Sequence, residues 1–182
     1  MQPRLIAFAA TAALTLLVLN GLVERHERTL AHGRDLLLAL RPVDPRSLMQ
    51  GDYMALDYQA IRQIEDTLRQ PGINPRLSPD DGDVLRAFFK PDPQGVAQLT
   101  RVGNGAVDAR PDEIMVRIKW VGGSPRLPSN DYFFAEGEGR RFAQAKYALF
   151  RVADDGTALL AGLADAQRVL IADHVAPAQR GP

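Results

Sequence analysis

Several groups of side chains in this chain have the types and spacing to do chemistry. Ser47 lies shortly before Gly51-Asp52, and Lys119 stands beside Trp120 in an apolar, alternating stretch. A neutral lysine held in an apolar site can act as general base for a serine nucleophile, so Ser47 and Lys119 form a candidate hydrolase pair. A lysine on an amphipathic strand is more often solvated. Two carboxylate pairs, Asp52 with Asp57 and Glu136 with Glu138, have the residue types of glycosidase acids. The first pair points to opposite faces of a strand, and the second sits between glycines in a turn. His26, His32 and His174 are scattered, and Asp80-Asp81-Gly82-Asp83 lacks the alternating ligands and closing glutamate of a calcium loop. No metal site and no cofactor is expected, and no glycine-rich phosphate loop appears. The absence of cysteine excludes disulfides, zinc-thiolate sites and thiol nucleophiles.

The densest signal is Gly51-Asp52-Tyr53-Met54-Ala55-Leu56-Asp57-Tyr58, preceded by Pro42-Val43-Asp44-Pro45-Arg46-Ser47. On a strand, side chains alternate. Asp52, Met54, Leu56 and Tyr58 therefore share one face, and Tyr53, Ala55 and Asp57 the other. Leu56 and Tyr58 suit a core face, where the Tyr58 hydroxyl needs a partner. Asp52 is placed to cap loop amides or to pair with Arg46, and Gly51 allows a turn closed to other residues. The prolines stiffen the segment Asp44–Gln50, which becomes the candidate interaction loop held above the strand. Tyr132-Phe133-Phe134 reads as a strand end buried in the core rather than an exposed aromatic edge. Glu136-Gly137-Glu138-Gly139 is an acidic turn suited to a basic partner loop.

The elements that position these residues follow an apolar leader. Leu5 to Val23 is nineteen residues without a charge, long enough to cross a bilayer as a helix. No small residues stand at the positions that signal cleavage requires just after this run, so an uncleaved anchor over residues 1–23 is expected. Arg4 precedes the run and Arg25, Arg28 and Arg34 follow it, a count that favours a cytoplasmic C-terminal domain. The short basic N-tail is the usual layout of a bacterial signal anchor, and on that ground the domain is expected in the periplasm, tethered to the inner membrane. Glu24 to His32 continues as a juxtamembrane helix, with Glu24 and Arg28 at i, i+4 and Gly33 as the stop.

Residues 34–172 read as one β-rich domain, and 173–182 as a frayed tail. Strands are expected over 36–40, 53–59, 84–90, 96–102, 114–121, 131–137, 147–152 and 157–163, with a helix over 60–68 and a helical turn over 140–146. Gly122 to Pro128 reads as a loop. The fold class is mainly β, an antiparallel β-rich α+β domain of about six to eight strands with two or three short helices, preceded by one N-terminal transmembrane helix. Lysine plus arginine equals aspartate plus glutamate at 22 each, and this zero net charge argues against nucleic acid as a partner.

Gly51 to Tyr58, with Pro42 to Arg46, resembles the signature of the GDYXXLXY family of bacterial membrane-anchored proteins. Tyr132 to Gly137 and Tyr147 to Val152 agree with that family as well. The resemblance implies a membrane-anchored domain of uncharacterised function, often found alongside multi-spanning membrane proteins, and supplies no catalytic residues. The expected role is a periplasmic accessory or interaction module for an integral membrane protein. Its motif and contact residues are Asp44, Arg46, Gly51, Asp52, Tyr53, Leu56, Tyr58, Glu136 and Gly137. The alternatives are a signal-peptidase-like serine hydrolase using Ser47 and Lys119, which lacks the serine-methionine pair and following proline of those enzymes, and an envelope ligand-binding module.

Overall fold

The computed structural model describes residues 3–41, 49–50, 53–69, 79–103, 105 and 108–171, without the side chains of 3–7, 9, 49 and 50. Helix α1 runs from Pro3 to His32, 30 residues and therefore about 45 Å at the usual rise. Its polar side chains turn back on the helix: Asn20 Nδ2 donates to the Leu16 carbonyl at 2.8 Å and Thr15 Oγ1 to the Thr11 carbonyl at 2.9 Å. The Arg28–Glu24 pair forms at 2.5 Å. Among the described residues, no helix is long and apolar enough to cross a membrane.

The helix stops at Gly33, whose N–H donates to the Thr29 carbonyl at 2.8 Å. The reason for glycine here is space. A Cβ would collide with that same carbonyl and lie 3.0 Å from the Val152 backbone nitrogen. The helix end is thus laid directly on a strand, and Thr29 is buried there.

Beyond Gly33 the chain forms β1 (Arg34–Ala39), β2 (Met49–Gln50), β3 (Tyr53–Ala55), α2 (Gln59–Arg69), β4 (Val84–Pro91), β5 (Ala97–Gly103), β6 (Ile114–Val121), β7 (Ser124–Arg126), β8 (Asp131–Phe133), α3 (Gly139–Phe142), β9 (Tyr147–Val152) and β10 (Ala158–Ala164). They build three antiparallel sheets, ordered β1-β9-β10, β2-β3-β8 and β5-β4-β6-β7. The first and third sheets meet at two points. Leu37 bridges to Val96, and the Arg117 N–H donates to the Gly156 carbonyl at 2.9 Å. One core fills the space between them, built from Leu36, Leu38, Phe89, Val116, Ile118 and Phe150 among others.

The β-rich antiparallel fold with three helices agrees with the sequence reading. The ten strands among the described residues exceed the expected six to eight. Each of the eight expected strands has a counterpart, but 53–59 and 131–137 are cut to Tyr53–Ala55 and Asp131–Phe133, because α2 begins at Gln59 and the chain turns at Gly137. The two additional strands are short. β2 lies in the segment read as a loop. β7 lies in the Gly122–Pro128 segment, where Gly122 and Gly123 adopt φ of 60° and 76° and join β6 to β7 with Val121 opposite Ser124. Two positive-φ residues in a two-residue link make the type I′ hairpin, a Gly-Gly signal present in the sequence. The other hairpins fall where the pattern places them. Asp92 Oδ1 accepts the Gln94 and Val96 N–H groups in one turn, and Gly156 takes φ 82° in the next.

Gly33→Ala is expected to destabilise the domain by roughly 2 kcal/mol, because the obstructing atoms are backbone on both sides. Urea denaturation of the purified chain measures this, and a loss below about 0.5 kcal/mol contradicts the account.

A candidate interaction surface on the motif strand

β3 carries the motif as the alternation requires. Met54, Leu56 and Tyr58 are buried, whereas Tyr53, Ala55 and Asp57 are half-buried on the opposite side. Tyr58 is the deepest of them. Its ring lies 5.8 Å from that of Phe150, and its hydroxyl donates to the Ser129 carbonyl at 2.8 Å. Burial, with the nearby Asp131 carboxylate adding to it, pushes the Tyr58 hydroxyl pKa far above the ordinary phenol value. It is a neutral donor at every physiological pH. The strand is also fixed by its backbone: Leu40 bridges Tyr58, the Arg41 N–H donates to the Asp57 carbonyl, and the Leu56 N–H to the Asn130 carbonyl. Arg41 and Asp57 add an ion pair at 3.0 Å.

On the outer side, β3 and β8 place Tyr53 opposite Phe133. Their ring centroids are 5.6 Å apart, and Phe133 is 73% exposed. The expectation of a buried strand end is therefore corrected at Phe133. Residues 131–133 alternate, so Tyr132 turns inward onto Phe142 (5.0 Å) and Phe133 must turn outward. Phe134 also rests on Phe142, nearly parallel at 5.3 Å. The next residues form the acidic turn. Gly137 takes φ 84°, Glu136 is exposed, and Glu138 is tied to Arg141 at 2.8 Å. One carboxylate of the turn, Glu136, is thus left facing solvent.

The chain's match to known proteins agrees with this anatomy. A family model described as GDYXXLXY protein matches residues 15–163. The chain belongs to the GDYXXLXY family. No curated protein and no solved structure matches it. The signature that names the family divides in two in the structure. Leu56 and Tyr58 serve the core, and Tyr53 serves the outer aromatic pair. Asp44, Arg46, Gly51 and Asp52 lie outside the described residues, as do Ser47 and His174. The Ser47–Lys119 distance and the Arg46–Asp52 pairing are therefore not given by the structure. Lys119 itself is exposed on β6, whereas a neutral lysine base needs burial in an apolar site. Among the described residues no cluster of histidine and carboxylate side chains could hold a metal ion.

The sequence reading passed over Glu113, the most deeply buried carboxylate among the described residues, 2% exposed. Arg101 reaches it through Nη2 at 2.7 Å and Nε at 3.2 Å, the Arg110 backbone N–H donates at 3.0 Å, and the Thr100 hydroxyl lies 2.9 Å away. Arg101 in turn stacks 3.6 Å over the Phe88 ring. These donors, Arg101 first, hold the Glu113 carboxyl down at about 2. A carboxylate whose lone pairs are occupied in this way is a structural anchor rather than a base. Its trace in the sequence is slight: an acid one residue before the strongly apolar Ile114 strand.

Because the Glu113 pKa is lowered on folding, its contribution is complete above about 4.5, the ordinary value, and is lost as pH falls towards about 2. The melting temperature of the native chain is expected to drop across that window. Glu113→Gln is expected to lose roughly 3 kcal/mol at pH 7 and to flatten the acid limb. Parallel acid limbs in the two proteins would rule out this role.

Proposed function

We propose that this GDYXXLXY protein is a single-pass, membrane-anchored accessory module that binds an integral membrane partner through the outer face of β3 and β8. The observation that carries the proposal is the Tyr53–Phe133 pair, two aromatic rings in register on the face away from the core. Exposed aromatic side chains are enriched in interface cores, because they bury large area for few rotatable bonds. Glu136 adds a negative charge close by in sequence, suited to a basic loop on the partner.

Support for the anchor comes from α1. Phe8, Leu14, Leu16, Leu17, Val18 and Leu19 are all more than half exposed among the described residues. Such a continuous apolar surface calls for an apolar surrounding. Thr15 and Asn20, two of the polar side chains of residues 5–23, already bond to helix carbonyls, as a bilayer demands. The proposed address is the inner membrane, with residues 34–172 on the periplasmic side.

A photo-crosslinking residue placed at Phe133 in native membranes is expected to capture an integral membrane protein, with Phe133→Ala leaving stability within about 0.5 kcal/mol. Equal capture from Val169, another exposed apolar position, would discredit the surface. Resistance of the chain to alkaline extraction tests the anchor, and a C-terminal reporter active only in the cytoplasm would overturn the orientation.

A further inference from the structure

The four-stranded sheet carries an arrangement that its own stability opposes. Across β4 and β6, Arg86 stands directly opposite Arg117. Across β6 and β7, Lys119 stands directly opposite Arg126. Like charges in facing positions of adjacent strands repel. Acidic partners normally relieve this. Here Arg101, on the neighbouring strand, is neutralised by Glu113, and Lys90 by Asp112 at 2.6 Å. Among the described residues, none of Arg86, Arg117, Lys119 and Arg126 has an ion-pair or side-chain hydrogen-bond partner.

Three of these cations line one open groove of about 640 Å³ between β6–β7 and the start of β10. Its other walls include Val84, Val121, Leu127 and Leu159, and among the described residues no carboxylate lines it. Val84 and Val121 are themselves exposed. A groove with cations along one side and apolar walls elsewhere matches an amphiphile bearing an anionic head.

The position of the groove selects the source of that amphiphile. The β9–β10 turn lies against α1: Asp155 pairs with Arg25, and Asp154 and Asp155 share a shallow cavity with Gly21 and Glu24. That places the turn beside the end of the uncharged run at Val23. Gly156, the next residue, accepts the Arg117 N–H, and its Cα packs against Met115 and Arg117 so closely that a Cβ would strike both. The basic groove therefore begins one hydrogen bond away from the membrane-proximal turn, at headgroup height if residues 5–23 are in the bilayer.

We propose that the groove between β6–β7 and β10 binds the phosphate of an anionic membrane lipid, through Arg117, Lys119 and Arg126, with Arg86 extending the basic stripe. The lipid neutralises the two facing like-charge pairs, and Val84 and Val121 meet the upper acyl region. Bound lipid fixes the domain's tilt on the membrane. The inference rests on the anchor reading above, and its test reads the groove separately.

Binding is read as the heat of titration, because Trp120, the chain's single tryptophan, lies on the opposite face of β6 from Arg117 and Lys119. The full chain in neutral detergent micelles is titrated with phosphatidylglycerol, phosphatidylcholine or inorganic phosphate. A saturable change is expected with phosphatidylglycerol, weakened by added salt, and at least roughly fivefold weaker with phosphatidylcholine. Lys119→Gln with Arg126→Gln is expected to weaken it by roughly tenfold or more, whereas Arg140→Gln, outside the groove, leaves it unchanged. All these positions are exposed, and a retained thermal midpoint verifies folding. Equal response to both lipids, or indifference to the double substitution, overturns the proposal. Saturation by inorganic phosphate alone, with lipid adding nothing, also overturns it in favour of a soluble anion. Loss of the chain from membranes at alkaline pH refutes the anchor without touching the micelle result.

Discussion

Everything near the motif depends on burying one phenol. Tyr58 is 1% exposed, so its hydroxyl must find a partner inside the protein, and it takes the Ser129 carbonyl. That bond ties the end of the motif strand to the segment that leads into β8. The backbone bridge from Tyr58 to Leu40 ties the same residue to the end of β1. Three parts of the chain, remote in sequence, are thereby held in one register. Once Tyr58 is inward, strand alternation puts Leu56 and Met54 inward with it and turns Tyr53 out. The outward aromatic pair is thus a by-product of an inward requirement.

The second organising feature is the treatment of charge. The chain is neutral as a whole, yet its charges are not evenly matched in space. Glu113 is buried against Arg101, Asp57 is paired with Arg41, and Asp155 with Arg25. The outer face of β4, β6 and β7 is left with facing cations. A balanced total can coexist with a local surplus because ion pairs form only over a few ångströms, and salt screens anything farther than about 10 Å. A zero total could not disclose that local surplus.

Much of the architecture was legible in the sequence. The alternation of Ile114, Val116 and Ile118, the turn glycines and Asp92, and the i, i+3, i+7 spacing of Ile61, Ile64 and Leu68 each report local geometry. All correspond to elements found. Gly122-Gly123 was equally legible as a hairpin link, but β7 is only three residues long and offers too little pattern to announce a strand. Phe133 departs from its expected burial for a related reason. Three adjacent aromatics in Tyr132-Phe133-Phe134 suggest a single buried cluster, whereas a strand must divide them between two faces.

The sequence alone determined the family signature, the uncharged leader, the β-rich class and the inward set of the motif, because these depend on residue type and short-range period. Tertiary structure alone decided that Tyr53 meets Phe133, that Glu113 is the most deeply buried of the described acids, that Gly33 is required by the Val152 backbone, and that Arg86 faces Arg117 and Lys119 faces Arg126. Those facts depend on strand order and register, which bring together residues up to 119 positions apart (Gly33 and Val152). Register is fixed by which side chains can share one core, a property of the whole chain rather than of any segment.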